Sequence, residues 1–178
     1  MKKYFTKFVF LLIVNLYSIA PCKAQYATGF GLRVGKFATG FDMKHFFDQY
    51  QTTGIEFFAG FTQEANSGYL AKLFFVKQKP LRDSRLQVPT KAIFGVGAHA
   101  GYFKDPYFTI KEGQAVYYPE NSFSFGIDGT FGLEYNSRKL PFTVGVDATP
   151  YYTFFNPGPA WIDFGLTVRY IFRSGRRY

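Results

Sequence analysis

The sequence predicts an all-β fold, namely an eight-stranded antiparallel up-and-down transmembrane β-barrel. Residues 164–172 read FGLTVRYIF, so large apolar side chains alternate with small or polar ones near the chain end. Seven earlier segments alternate in the same way. Aromatic residues make up 22% of the chain (24 Phe and 14 Tyr), although the mean hydropathy is only −0.09. Many aromatics without long apolar runs suit strands that present every second side chain to lipid.

The N-terminal residues have the three parts of a secretory signal. A basic start (MKK) precedes an apolar run over residues 8–17, and small residues precede the bond between Ala24 and Gln25. The run is too short for a spanning helix of about 20 residues. We therefore expect residues 1–24 to be a signal peptide and residues 25–178 to be the outer-membrane β-barrel domain. A retained N-terminal membrane anchor is the alternative.

Cysteine content and charge exclude several classes of function. Cys22 is the only cysteine, so cleavage after Ala24 would leave none for disulfide bonds or thiol catalysis. Lipidation at Cys22 is an alternative, but Pro21 fits poorly where a small flexible residue is usual. Four of the 21 Lys and Arg residues and none of the 12 acidic residues lie in the signal, so the mature charge is 17 minus 12, or +5. This modest charge demands no nucleic-acid partner.

Each alternating segment is close to the 9–11 residues that a tilted membrane strand requires. The eight segments cover residues 26–35, 40–48, 53–61, 68–77, 91–103, 122–135, 141–153 and 164–172. Because successive side chains of a strand point to opposite faces, one face of each segment is predicted to meet lipid. The outward residues of the first four segments are Phe30, Leu32 and Val34; Phe41, Met43 and Phe47; Ile55, Phe57, Ala59 and Phe61; and Tyr69, Ala71, Leu73 and Phe75.

The last four segments alternate more clearly than the fourth, whose facing follows mainly from placing Lys72 inside. Glycines are frequent on the inner faces, as expected of a narrow barrel with little interior volume. The outward residues of the last four segments are Phe94, Val96, Ala98, Ala100 and Tyr102; Phe123, Phe125, Ile127, Phe131, Leu133 and Tyr135; Phe142, Val144 and Val146; and Phe164, Leu166, Val168, Tyr170 and Phe172.

The lengths of the connections predict an orientation. If the N-terminus starts in the periplasm, residues 104–121 form an external loop and residues 136–140 form a short inner turn. This agrees with the rule that such barrels have short periplasmic turns and longer outer loops. Residues 78–90 are long for an inner turn, and their prolines and charges predict an irregular solvated segment.

Three pieces of the sequence carry a resemblance to a known family. The pieces GVGAHAGYF (95–103), GIDGTFGLEY (126–135) and LPFTVGVDATP (140–150) resemble a family of small outer-membrane β-barrels. The predicted architecture is similar to that of the eight-stranded OmpA and OmpX-like barrels. The resemblance implies an eight-stranded membrane fold, usually without an assigned activity, and it transfers no catalytic residues.

Charged residues on the inner faces form the main candidate site. Burying any of them alone would be costly, so we predict that they pair with one another in a filled lumen. A gated ion path or proton relay is the alternative, which is less favoured because side chains fill an eight-stranded interior. The predicted lumen residues are Arg33, Lys44, Glu56, Lys72, His99, Asp128, Glu134, Asp147 and Arg169, together with Asp42.

We predict no catalytic, cofactor or metal site. His99 has no second histidine or cysteine at ligand spacing, and we expect it to pair with a carboxylate. Asp128 and Glu134 would lie roughly 20 Å apart along a strand, too far for a two-carboxylate glycosidase. A lipid-modifying enzyme would need a nucleophile and a base near the membrane boundary, and no serine shares the strand of outward-facing His45.

Two further groups of residues are candidates for interactions outside the lumen. In the loop 104–121, Tyr107 and Phe108 fit a membrane-interface girdle, whereas Tyr117 and Tyr118 fit either a girdle or a recognition surface. The closing strand resembles the C-terminal signal read by the barrel-assembly machinery, although six residues follow its last aromatic. The predicted assembly signal consists of Phe164, Leu166, Val168, Tyr170 and Phe172.

These features together predict a non-enzymatic protein of the outer membrane of a Gram-negative bacterium. Its expected role is structural, or surface interaction through the outer loops, and it is expected to be a monomer in contact with outer-membrane lipid. The alternatives are a small channel or transporter, a lipid-modifying enzyme, and a soluble lipocalin-like barrel. The last is disfavoured because a lipocalin is apolar inside and polar outside.

Overall fold

The fold was obtained as a computed structural model, which describes residues 28–48, 50–62, 67–81, 90–104, 107–111, 114–118, 120–137, 140–155 and 162–172. The predicted signal peptide, Cys22 and the tail 173–178 lie outside the described residues. The strands are β1 (Thr28–Gly35), β2 (Ala38–Phe46), β3 (Thr53–Thr62), β4 (Gly68–Pro80), β5 (Thr90–Phe103), β6 (Tyr107–Lys111), β7 (Gln114–Tyr118), β8 (Ser122–Asn136), β9 (Phe142–Phe155) and β10 (Ile162–Phe172).

Eight of these strands form one closed sheet, which confirms the predicted fold class. The sheet order is β1-β10-β9-β8-β5-β4-β3-β2, and every neighbouring pair is antiparallel. The first and last strands close the barrel, with Leu32 opposite Val168 and Thr28 opposite Phe172. Closure leaves no edge strand, so the backbone polar groups of the barrel are satisfied within the sheet. The described residues include no helix long and apolar enough to cross a membrane.

The barrel is apolar outside and polar inside. Large apolar side chains are exposed along the strands that alternate, for example Leu32 at 55%, Phe94 at 58% and Phe164 at 59%. Most charged side chains of the same sheet are buried, and exceptions such as Lys77 and Lys79 lie near the end of β4. In β4 the side chains on the Lys72 face are buried and those on the other face are exposed, as the position of Lys72 predicted. A water-soluble barrel would need the reverse distribution.

Several strand boundaries differ from the sequence predictions: β2, for example, spans Ala38–Phe46 rather than residues 40–48, and three other differences affect the lumen or the long loop. The irregular segment does not begin at Gln78, because β4 continues to Pro80 and pairs with β5 there. The closing strand begins at Ile162 rather than at residue 164, which adds Asp163 to its inner face. The predicted loop 104–121 contains a small separate hairpin of β6 and β7. In each case the local sequence carries turn or charge signals that the cross-strand pairing overrides.

The connection between β2 and β3 is a turn organised by one carboxylate. Asp48 accepts hydrogen bonds from the Thr52 backbone N–H (2.9 and 3.0 Å), from the Thr52 hydroxyl (2.8 Å) and from the Thr53 N–H (2.6 Å). Slight burial raises the pKa of Asp48, but these hydrogen bonds outweigh it, so the pKa lies below its ordinary value. Such Asx turns let a side chain satisfy the backbone of a tight connection.

Asp48→Asn is therefore expected to destabilise the barrel by about 1 kcal/mol near neutral pH. Because the folded pKa is depressed, the carboxylate contributes stability above its unfolded pKa and loses it as the pH falls through the lower folded pKa. Urea unfolding of the wild type and Asp48→Asn between about pH 7 and about pH 3 measures this. The stability difference should shrink below about pH 4; a difference independent of pH would show that ionised Asp48 does not stabilise the turn.

Candidate functional site

The first group of lumen charges is the Arg169 network, which consists of Asp42, Lys44, Glu56, Glu134 and Arg169. Arg169 lies on β10 and donates through Nε to Asp42, through Nη1 to Glu134 (2.8 Å) and through Nη2 to Glu56 (2.7 Å). Its partners belong to β2, β3 and β8, so one guanidinium connects four strands across the lumen. The planar fork of arginine suits such simultaneous contacts.

Lys44 completes the Arg169 network. Its Nζ lies 2.8 Å from Glu56 Oε2 and 2.9 Å from Glu134 Oε2. Gln78 Nε2, from the part of β4 beyond its predicted end, donates to Glu134 Oε1 at 3.3 Å. Two bases thus face three acids, all at most 8% exposed. Pairing of this density offsets the desolvation of the charges, and the loss of one base would leave buried carboxylates uncompensated.

The second group is the Arg33 network, which lies nearer the barrel end opposite the start of β1 and the end of β10. Arg33 of β1 donates to Asp147 of β9 at 2.6 Å and to Asp163 of β10 at 2.7 Å. Asp163 also accepts from the backbone N–H of Phe37 at 2.9 Å, which ties the β1–β2 connection to the network. The sequence prediction missed Asp163 because it placed the strand start at residue 164. Asp163 lies two residues before Gly165, which faces inward. Because side chains of a strand alternate between faces, this spacing could have placed Asp163 on the inner face.

A third group is the His99 cluster, which consists of Lys72, His99, Ser124, Asp128 and Thr153. His99 Nδ1 lies 2.7 Å from Asp128 Oδ1, and His99 Nε2 lies 3.2 Å from the Thr153 hydroxyl and 3.4 Å from the Ser124 hydroxyl. Lys72 Nζ lies 5.5 Å from the centre of the Tyr151 ring and has no hydrogen-bond partner among the described residues. The predicted carboxylate partner of His99 is thus Asp128 in the structure.

The order Asp128, His99, Ser124 resembles a hydrolase triad, but its surroundings leave no room for a substrate. Ser124 is 3% exposed, and the adjoining cavity has a volume of about 10 Å³. Such a volume holds about one water molecule. The cavity walls are Phe37, Leu70, Lys72, His99, Phe103, Ser124, Tyr151 and Thr153. The described contacts of the cluster form a buried hydrogen-bond network around His99.

An apolar cap closes the lumen beside the His99 cluster. Phe37 lies between β1 and β2, and it packs at the end of the barrel with Ala38, Phe58, Leu70 and Phe103. Phe58 and Phe103 are 1% and 0% exposed. Five apolar side chains therefore lie across the interior at the end that carries the β6–β7 hairpin. The alternation pattern gives no signal for Phe37, because this residue lies in a connection rather than in a strand.

The remaining predicted residues belong to β7 and β10. Tyr117 and Tyr118 belong to β7 and pair in register with Phe108 and Tyr107 of β6, but their side chains lie outside the described residues. In the described ranges no group of three or more His, Cys, Asp and Glu residues could hold a metal ion. The side chains of the closing-strand set all lie on the exposed face of β10: Phe164, Leu166, Val168, Tyr170 and Phe172.

Packing around the Arg33 network leads to a test with a matched control. A Cβ added at Gly165 would lie 2.5 Å from Arg33 Cζ, whereas at Gly145 on the neighbouring strand the nearest atom would be 3.5 Å away. Arg33 is held by two carboxylates, so it cannot move aside without breaking ion pairs. We expect Gly165→Ala to lower the free energy of unfolding by about 1–3 kcal/mol and Gly145→Ala to have little effect. Equal urea midpoints for the two variants would contradict this packing.

The structure has the fold of the small eight-stranded outer-membrane β-barrels. A search of solved structures finds the N-terminal β-barrel domain of Pseudomonas aeruginosa OprF, with a TM-score of 0.60 and 12% identity over 84% of this chain and 100% of that domain. This likeness shows the fold. Ail, the attachment invasion locus protein of Yersinia pestis, has a TM-score of 0.41 at 12% identity, over 83% of this chain and 97% of Ail.

Neisserial surface protein A has a TM-score of 0.36 at 12% identity, over 83% of this chain and 95% of that protein. No protein-family model matches the sequence, and no curated protein matches it significantly. The comparisons therefore bear on the architecture of the chain, while its role has to be argued from its own residues.

Proposed function

We propose that this chain is a non-enzymatic protein of the outer membrane of a Gram-negative bacterium, with a structural or surface-interaction role. The observation that carries the proposal is the polarity of the barrel. Exposed aromatic and aliphatic side chains surround the wall, whereas Arg33, Lys44 and Arg169 are at most 4% exposed inside it. In water this outer surface would be a large apolar patch, and in a bilayer it is the face that lipid requires.

The lumen is proposed to be a filled, structural interior. The Arg169 network and the His99 cluster adjoin internal cavities of only about 10 Å³ each. The apolar cap lies over the opposite end from the Arg169 network. Ions would have to displace paired charges and then cross buried phenylalanines, and both steps oppose conduction.

Planar-bilayer recording of the purified, folded chain tests this proposal. A filled lumen predicts no stepwise conductance above that of the lipid alone. A Phe37→Ala/Phe103→Ala variant, which opens the cap but keeps both charge networks, serves as a comparison. Regular unitary steps from the wild type would contradict the filled lumen and favour the small channel or transporter.

Export and assembly are proposed to use the two ends of the chain. Residues 1–24 would direct secretion and be removed, or Cys22 would be lipidated. The exposed aromatic and aliphatic side chains on β10, from Phe164 to Phe172, would be read by the barrel-assembly machinery before closure. Their exposure on one face supports this role, because an assembly factor can contact that face before lipid covers it.

The β6–β7 hairpin is proposed to lie outside the cell, with Tyr117 and Tyr118 as candidates for contact with an external partner. The support is topological: β5 ends and β8 begins at the barrel end opposite the termini. An epitope tag inserted between residues 112 and 113 should be detected by antibody on intact cells. Detection only after permeabilisation would reverse the proposed orientation.

A further inference from the structure

The outer wall carries one apolar groove of about 460 Å³, which lies near the end that holds the β6–β7 hairpin. Its floor consists of Ala59, Ala71 and Ala100, which are register partners on three neighbouring strands. Phe61, Tyr69 and Tyr102 stand in the next row towards that end, and Phe41 bounds the groove on β2. The three alanines thus form a low row beside a row of aromatic side chains.

Tall side chains bound the groove along the strands. Along β4 the tall side chains on either side of Ala71 are Tyr69 and Leu73, which are 49% and 54% exposed. Residues four apart in a strand are separated by about 14 Å, and part of this distance is taken up by the two side chains themselves. Neighbouring strands are about 4.8 Å apart, so the alanine floor extends about 10 Å across the sheet.

A fixed positive charge lies at the rim of the groove. Lys104 Nζ is 3.4 Å from the Tyr69 hydroxyl and 5.0 Å from the centre of its ring. The backbone of Lys104 is held on both sides: its N–H donates to the Ser67 carbonyl at 2.9 Å, and its carbonyl accepts from the Asn121 N–H at 3.3 Å. No carboxylate among the described residues pairs with Lys104. Lys104 is exposed, so its ammonium group can be reached from outside the barrel.

We propose that this groove binds an anionic phospholipid, with one acyl chain on the alanine floor and the anionic headgroup at Lys104. The inference deepens the proposed membrane function and rests on it. A tall apolar wall with a positive group at one end complements an amphiphile whose charge lies at the end of a hydrocarbon chain. Tyr69 lies between the two parts of the site, with its ring in the wall and its hydroxyl at Lys104.

Lipid retention measured by native mass spectrometry tests the site with two matched pairs of variants. Ala100→Phe fills the floor, whereas Ala98→Phe adds the same group to the same face of β5 outside the groove. Lys104→Gln removes the rim charge, whereas Lys36→Gln removes another exposed lysine at the same end. Each folded protein is offered phosphatidylglycerol or phosphatidylcholine with identical acyl chains.

The wild type, Ala98→Phe and Lys36→Gln should retain phosphatidylglycerol about fivefold more than phosphatidylcholine. Ala100→Phe should lose retention of both lipids, and Lys104→Gln should lose the preference between them. Equal retention by Ala100→Phe and Ala98→Phe would overturn the proposal, as would an unchanged preference in Lys104→Gln. A protein dimer lost in Ala100→Phe would assign the groove to a second copy and overturn the lipid assignment.

The failure of this proposal can be separated from the failure of the membrane proposal. Each sample is first checked for a folded barrel by the change in gel mobility between unheated and boiled protein. A wild type that folds but retains neither lipid overturns the lipid site alone. A wild type that does not fold in any lipid overturns the membrane proposal and the lipid site together.

Discussion

Arg169→Met is expected to lower the free energy of unfolding by at least about 3–5 kcal/mol. The substitution keeps an unbranched side chain of similar length but removes the guanidinium that contacts Asp42, Glu56 and Glu134. Lys44 alone would then face three carboxylates, all of which are buried. Urea titration of the barrel folded in short-chain lipid bilayers, followed by circular dichroism and gel mobility, measures the loss.

Two further variants separate charge from packing in this experiment. Arg169→Lys keeps the positive charge but loses the planar guanidinium that contacts three carboxylates. Its free energy of unfolding should therefore lie between those of the wild type and Arg169→Met. Adding Asp42→Asn and Glu134→Gln to Arg169→Met should recover part of the lost stability, because two uncompensated carboxylates become neutral. If Arg169→Met unfolds within about 0.5 kcal/mol of the wild type, the Arg169 network does not hold the barrel together.

Phe131→Arg is expected to destabilise the folded barrel by about 2–4 kcal/mol in a bilayer. Phe131 is 49% exposed in the middle of β8, where it lies opposite Phe94 of β5 and Ala148 of β9. An arginine at this depth must either enter the hydrocarbon or draw water and headgroups towards it. The same bilayer urea titration gives the free energy.

Depth and facing provide the controls for this prediction. Tyr135→Arg places the same charge on the same face near the end of β8, where the cost should fall to about 0–1 kcal/mol. Thr130→Arg lies on the inner face, where Thr130 is 8% exposed, and should act by crowding the lumen. If Phe131→Arg and Tyr135→Arg cost the same, the outer face of β8 does not cross a bilayer.

The period of two made the barrel predictable from the sequence. Each strand needs a large apolar residue at every second position to meet lipid, and this requirement leaves a strong signal even in short segments. Lys72 shows the strength of the rule: a single charged residue was enough to orient β4, whose two faces are otherwise both apolar. The closing strand was equally clear, because Gly165, Thr167 and Arg169 lie between its outward side chains.

The partners within the lumen were not predictable in the same way. The pairing of bases with acids depends on the stagger between strands and on the tilt of the strands in the barrel. Neither can be read from the sequence of a single strand. Arg33, for example, contacts Asp163, 130 positions away in the chain. Gln78 and Phe37 were missed because they lie in or near a connection, where alternation ends. Tertiary pairing, rather than local pattern, places both side chains inside.

This barrel is proposed to fold in a membrane with its aromatic face towards lipid. Fractionation of cells producing the chain, followed by electrophoresis of unheated and boiled samples, tests this proposal. We expect recovery in the outer-membrane fraction and a shift in gel mobility on boiling. Recovery in the soluble periplasm without such a shift would contradict the claim, because the exposed aromatic face would then have to pack against protein.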